Sequence, residues 1–180
     1  MLELKDASLT LGDRQLFHRL SLMAMDGQLV CITGPSGSGK TALLQVMLGF
    51  VPLDEGLVSF DGELLTPLSA PYFRRLVAYI SQRRDVTVSQ VDVDVAGLEA
   101  VWSPHQGRLP QLTPIDDHLD VAPIATKPII IVDAPDLSML AVLKSLADAG
   151  HAVVVATEQE AYLNISDKII TLGNNDHHIS

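Results

Sequence analysis

Two strand-like stretches open the chain, Leu2 to Leu11 and Leu16 to Met23, and a polar Gly-Asp-Arg turn at Gly12 to Arg14 joins them. That arrangement predicts an antiparallel pair. An unbroken apolar run from Gln28 to Thr33 then stops at Gly34, and from Lys40 to Phe50 the residues Leu43, Leu44, Val46, Met47 and Leu48 recur at helical spacing. The prediction is a strand, a glycine-rich loop and a helix. Gly56 to Phe60 with an Asp61-Gly62 turn, a helix over Pro71 to Leu76 and a strand over Val77 to Ser81 complete the first half.

Between Arg83 and Lys127 the pattern weakens. Val91, Val93 and Val95 alternate with Asp92 and Asp94, Gly97 to Trp102 is compatible with a helix, and Pro104, Pro110, Pro114 and Pro123 interrupt the rest. Regularity returns with a buried-type strand at Pro128 to Asp133, an amphipathic helix over Leu137 to Ala149 ending at Gly150, and strands at His151 to Thr157 and Lys168 to Leu172. Alternating helices and strands of this kind predict an α/β fold with parallel pairing. There is no internal repeat, and the tail from Asn174 to Ser180 is polar.

Composition narrows the function classes. In 180 residues, 47% are apolar and 19% charged, which excludes disorder and favours one globular domain. Twelve Lys and Arg against 22 Asp and Glu leave a net charge of −10, which argues against a nucleic-acid binder needing a basic face. No apolar run approaches the roughly 20 residues of a transmembrane helix. The N-terminus lacks the basic and apolar regions of a secretory signal, so a cytoplasmic location is the expectation. The single Cys31 cannot form an intrachain disulfide and reads as a small buried hydrophobe.

Gly34-Pro35-Ser36-Gly37-Ser38-Gly39-Lys40-Thr41 satisfies G-x-x-x-x-G-K-[ST] at every fixed position, between a predicted strand and a predicted helix. Glycines at these places let backbone N–H groups turn inward around phosphate oxygens, and the positive end of the following helix adds a favourable field. Lys40 would reach the terminal phosphates and the Thr41 hydroxyl would ligate Mg²⁺. The loop alone does not name the reaction, since kinases, GTPases and transport ATPases share it.

The surroundings resemble the ATP-binding cassette (ABC) ATPase family. About thirty residues of strand-like sequence precede the loop; Leu2-Glu3-Leu4-Lys5-Asp6-Ala7-Ser8-Leu9 looks like the family's first strand, and Leu48-Gly49-Phe50-Val51-Pro52-Leu53-Asp54-Glu55-Gly56 matches its helix end and following turn. Tyr79-Ile80-Ser81-Gln82 sits where that family places its Q-loop, so the resemblance assigns Gln82 to Mg²⁺ and the attacking water. Pro128 to Asp133 resembles a Walker B strand, which makes Asp133 the second metal-site carrier beside Thr41. The implied fold is a P-loop NTPase core with an N-terminal antiparallel β subdomain, the whole chain from 1 to 180 forming one nucleotide-binding domain.

Several positions depart from the family pattern. Ala134 stands where a catalytic Glu follows the Walker B Asp, and Glu158 stands where a switch His follows the strand ending at Thr157. The second exchange puts a carboxylate near a γ-phosphate and should weaken triphosphate stabilisation. Asp136 is a helix cap rather than a substitute base. Leu140 takes the place of the D-loop Asp, and Leu11 that of an adenine-stacking aromatic. Only 51 positions separate Gln82 from Asp133, without a Leu-Ser-Gly-Gly-Gln-like signature, so the helical subdomain, residues 83–127, reads as truncated.

The resemblance therefore implies an ATP-binding subunit of an ABC-type transport system that binds Mg·ATP with weak or partner-dependent hydrolysis. Its implied partners are a membrane permease subunit and a complete ABC ATPase subunit able to lend the missing signature, which places the chain in the cytoplasm, peripheral to the inner face of the cell membrane. Alternatives are a nucleotide-binding regulatory or scaffold module without a transport role, and a small-molecule phosphotransferase with residues 83–127 as a lid. Asp116, Asp117, His118 and Asp120, together with His177 and His178, read as solvated polar residues. Arg74, Arg75, Arg83 and Arg84 bracket the Q-loop strand and read chiefly as solvated cations.

Overall fold

The computed structural model describes residues 1–80 and 121–173. Gln82, the expected truncated segment apart from its last residues, and the C-terminal tail lie outside the described residues. Two sheets make up the fold, and their strands follow the hydrophobic pattern closely.

The first sheet is antiparallel, in the order β2 (Arg14–Ala24), β1 (Leu2–Leu11), β4 (Glu55–Phe60), β5 (Glu63–Leu64). Strands β1 and β2 pair as expected, with Leu4 opposite Leu22, and β1 also pairs with β4 through Leu4 and Val58. The short β5 was not expected. Asp61 and Gly62 both take positive φ, 47° and 85°, the geometry of a two-residue hairpin turn, so the chain reverses and Phe60 pairs with Glu63.

The second sheet is parallel, in the order β6 (Val77–Ile80), β7 (Ile129–Asp133), β8 (Ala152–Ala156), β3 (Leu29–Thr33), β9 (Lys168–Thr171). Every residue of β6, β7 and β8 is buried. Strands covered on both faces need side chains that are apolar throughout, which is why Ile-Ile-Ile-Val and Ala-Val-Val-Val-Ala read as continuous runs rather than alternations. Cys31 on β3 is fully buried, and that burial pushes its thiol up to about 11.

Helix α1 (Lys40–Met47) packs its buried face of Leu43, Leu44, Val46 and Met47 into the core shared by the two sheets. Truncating one such leucine to alanine would cost about 2–5 kcal/mol. The helix ends at Met47 rather than Phe50. Gly49 turns left-handed at φ 69°, Phe50 N–H donates to the Gln45 carbonyl at 2.9 Å and Gly49 N–H to that of Val46 at 3.0 Å, which closes the helix. Helix α2 (Ala70–Leu76) leads into β6, and α3 (Val121–Ile124) precedes β7.

The expected helix over Leu137 to Ala149 opens as a 3₁₀ turn, Leu137–Met139, before α4 (Leu140–Asp148), and ends at Gly150 in the same left-handed manner as α1. Helix α5 (Glu160–Ile165) was not expected, because six residues are too few to display a period. Its Tyr162 is fully buried and donates its hydroxyl proton to the Asp136 carbonyl at 2.6 Å.

Candidate functional site

Parallel pairing aligns the C-terminal ends of β3, β7 and β8: Ile32 lies opposite Ala156, and Ala156 opposite Asp133. Open α/β sheets bind ligands at this edge. There the loop from Gly34 to Thr41, the β7 end at Asp133–Ala134 and the β8 end at Ala156–Gln159 surround a cleft of about 700 Å³, with Leu11, Arg14 and Leu16 of the antiparallel sheet closing one side. That volume suits a small-molecule cofactor.

The loop has the backbone its glycines require. Gly34, Gly37 and Gly39 adopt φ of 141°, 78° and 102°, and a Cβ on Gly34 would sit 2.4 Å from the Leu172 carbonyl oxygen. Only glycine fits there. Ser36 and Gly37 face the cleft, whereas Ser38 is buried and its hydroxyl has no partner among the described residues. Pro35 contributes through its carbonyl, which accepts from Ser38 N–H at 3.0 Å. No side chain caps α1 and no acid sits in its first turn. The free N–H groups at that end therefore add positive potential to the cleft.

Thr41, in the first turn of α1, donates its hydroxyl proton to Asp133 Oδ2 at 2.8 Å. These are the two expected metal-site residues within the described part of the chain, and the fold brings them together from 92 positions apart. Burial pushes the Asp133 carboxyl above its usual range, against the Thr41 hydrogen bond and the Lys40 charge, which favour ionisation. A buried carboxylate with one hydrogen-bond donor among the described residues keeps an oxygen that could ligate a divalent cation. Among the described residues no three His, Cys, Asp or Glu side chains gather into a metal cage. That donor set matches Mg²⁺, which keeps waters and phosphate oxygens as ligands and needs few protein groups.

Lys40 donates to the carbonyl oxygens of Gly34 and Pro35, the latter at 3.0 Å, and to Glu158 Oε1 at 2.7 Å. Its three N–H donors are all engaged. The pairing with Glu158 joins residues 118 positions apart.

Ala134 lines the cleft directly after Asp133 and sits in the left-handed region at φ 50°, its N–H donating to the Ala156 carbonyl at 2.8 Å. Asp136 accepts from Ser138 N–H at 2.8 Å and from the Ser138 hydroxyl, and these bonds hold its carboxyl below the usual range. It caps the turn, as expected, and does not line the cleft. Leu140 begins α4 and packs against the core on the other side of the parallel sheet. Leu11 does line the cleft, and Leu16 extends its apolar surface.

Among the lining residues missed in the sequence are Gln159 and Arg14. Gln159 donates through Nε2 to the Pro135 carbonyl at 2.7 Å and so ties the β8 end to the β7 end. Arg14 opens β2 beside the hairpin turn of the other sheet, yet its Nη1 lies 3.6 Å from where a Cβ on Gly37 would be. A turn sequence carries no sign of such a neighbour. Arg74 is buried rather than solvated, with its guanidinium 4.8 Å from the Phe50 ring centroid. The stem and plane of arginine pack well against aromatic faces, a use that charge counting overlooks.

A family model described as ABC transporter matches residues 17–148. The chain belongs to the ABC transporter family. It is 29% identical over 202 residues to the ABC transporter ATP-binding/permease protein Rv1747 of Mycobacterium tuberculosis, using 89% of this chain and 23% of that protein. It is also 29% identical over 211 residues to the cytochrome c biogenesis ATP-binding export protein CcmA of Hahella chejuensis, covering 96% of both. That alignment spans more positions than this chain has residues, so CcmA carries residues with no counterpart here. The intermembrane phospholipid transport system ATP-binding protein MlaF of Escherichia coli is 39% identical over 69 residues, 38% of this chain and 26% of MlaF. The chain thus spans about a quarter of two of these ABC relatives and nearly all of the third.

Solved structures of ABC proteins share the fold. The ATP-binding subunit of an ABC transporter superposes with a TM-score of 0.72 at 16% identity over 99% of this chain and 90% of its own. The ATP-binding cassette MJ0796, a dimer bound to ADP and Pi, gives 0.69 at 18% identity over 100% and 98%.

Proposed function

We propose that this chain is a Mg·ATP-binding subunit of an ABC-type transport system whose own ATP hydrolysis is weak or depends on a partner. The observation that carries the reading is the meeting of Lys40, Thr41 and Asp133 at the mouth of one glycine-lined cleft. Gly34, Gly37 and Gly39 would surround the phosphates, Lys40 would contact their terminal oxygens, and Thr41 with Asp133 would hold Mg²⁺. The metal would supply neutralisation of phosphate charge. Gln82, outside the described residues, is the third proposed metal-site residue.

Weak turnover follows from the opposite wall. Ala134 has no carboxylate to accept a proton from water, and Glu158 offers no hydrogen-bond donor to a developing phosphate charge. Losing one well-placed stabilising group typically costs about 2.7–4 kcal/mol in the transition state. The excess length of the CcmA alignment fits a chain shorter than CcmA, as a shortened helical segment at 83–127 would make it. No helix among the described residues is long and apolar enough to cross a membrane. Relatives named as ATP-binding/permease proteins support a permease partner and hence a cytoplasmic, membrane-peripheral location; a complete ABC ATPase subunit would be the second partner.

Isothermal titration of Mg·ATP into the purified chain tests the reading, with Lys40→Ala as control. Saturable binding that weakens at least about thirtyfold in the variant is expected, since breaking a desolvated charge contact costs about 2–5 kcal/mol. Absence of binding in the wild-type chain would overturn it, and brisk ATP turnover by the chain alone would overturn the claim of weak hydrolysis.

A further inference from the structure

We infer that Glu158 makes this cleft selective for a nucleoside diphosphate over the corresponding triphosphate, by occupying on Lys40 the place a γ-phosphate would need. The inference rests on the nucleotide-binding reading above and concerns which phosphate state the site favours.

Three observations carry it. First, Lys40 Nζ has three donors and uses all of them, on two loop carbonyls and on Glu158 Oε1 at 2.7 Å. A phosphate oxygen that contacts Lys40 must displace one of these acceptors. Second, the Lys40 side chain is only 14% exposed while that of Glu158 is 56% exposed, so the carboxylate covers the solvent side of an otherwise enclosed ammonium. A third phosphate would enter from that side and meet a carboxylate where it needs a cation. Like charges in such proximity repel, and a partly enclosed site screens them less than water does.

Third, the charges in the cleft are distributed unevenly. Among the described residues the charged ones lining it are Arg14, Lys40, Asp133 and Glu158, two cations against two carboxylates. Arg14 makes no ion pair among the described residues and stands beside Gly37 near the apolar Leu11–Leu16 end, whereas Lys40 is already paired. The uncompensated cation therefore lies away from Glu158, on the side of the antiparallel sheet. A ligand with fewer phosphates matches this polarity better, because it can use Arg14 and the loop N–H groups without displacing Glu158.

The test is a set of isothermal titrations of Mg·ADP and Mg·ATP into the wild-type chain and Glu158→Gln. Glutamine keeps the shape and removes the charge at a mostly exposed position, and ADP binding itself reports that the variant is folded. The wild-type chain is expected to bind ADP at least tenfold more tightly than ATP, and the substitution to raise ATP affinity at least tenfold more than ADP affinity. Equal affinities for the two nucleotides in the wild-type chain, or a substitution that changes both alike, would overturn the inference while leaving the nucleotide-binding reading intact. Binding of neither nucleotide by either protein would overturn both.

Discussion

The two walls of the cleft are built differently. On one, the loop from Gly34 to Thr41 and the end of β7 at Asp133 present backbone N–H groups, an ammonium, a hydroxyl and a carboxylate, all suited to phosphates and a hard cation. On the other, the ends of β7 and β8 present Ala134, with no carboxylate directly after Asp133, and Glu158, whose carboxylate turns onto the first wall's lysine. Each wall is supported in its own way. The first is fixed by glycine geometry, and the second by hydrogen bonds from Gln159 to Pro135 and from Tyr162 to Asp136. On the proposed function, binding and turnover would be separable in this architecture: one strand end keeps the groups that suit a phosphate while its neighbour carries different side chains at the same edge of the sheet.

The sharpest way to break this contrast acts on the first wall. Asp133→Asn should weaken Mg²⁺-dependent nucleotide affinity roughly tenfold, since displaced metal-site partners commonly cost 10- to 100-fold. The same variant should melt at a higher temperature without metal, because an amide can still accept the Thr41 hydrogen bond and burial penalises the carboxylate it replaces. Titration with and without Mg²⁺, beside thermal melts, checks both parts; an unchanged Mg²⁺ dependence would remove Asp133 from the site.

A smaller effect is expected where the antiparallel sheet meets the cleft. Leu11→Tyr would place an aromatic face beside the apolar surface of Leu16, and stacking with a purine should tighten ATP and ADP binding by about 1 kcal/mol, roughly fivefold. Inorganic pyrophosphate, which has no base, should be unaffected. Competition titrations distinguish the two, and equal gains for pyrophosphate would locate the base elsewhere.

The smallest effect belongs to the second wall, as a structural element. Asp136→Ala should lower the melting temperature without altering nucleotide affinity, since Asp136 caps a turn and does not line the cleft. Its folded-state pKa lies below the usual value because of the Ser138 hydrogen bonds. The cap therefore stabilises fully above the ordinary carboxylate range and is lost as pH falls through the lowered value. The melting deficit should be greatest near neutral pH and vanish in strong acid; a deficit independent of pH would assign the effect to packing.

Much of this organisation was legible in the chain. The Gly34–Thr41 loop was legible because phosphate binding by backbone demands glycines and a lysine at set spacing, and the parallel strands because burial on both faces demands unbroken apolar runs. Helix ends were read less well. Gly49 stops α1 earlier than the apolar period suggested, since a left-handed closure overrides the period, and the six residues of α5 were too short to show one.

By itself, then, the sequence determined most of the longer elements, the glycine-rich loop and the identity of Asp133 as the polar end of an apolar strand, all of which depend on residues close together in the chain. The tertiary structure alone decided which of these meet. The strand order β7-β8-β3 sets Asp133 against Thr41 and turns Glu158 onto Lys40 across 118 positions, and the contact between the two sheets brings Arg14 beside Gly37. Those pairings arise from how parallel strands line up at one edge, and spacing along the chain contains no record of that alignment.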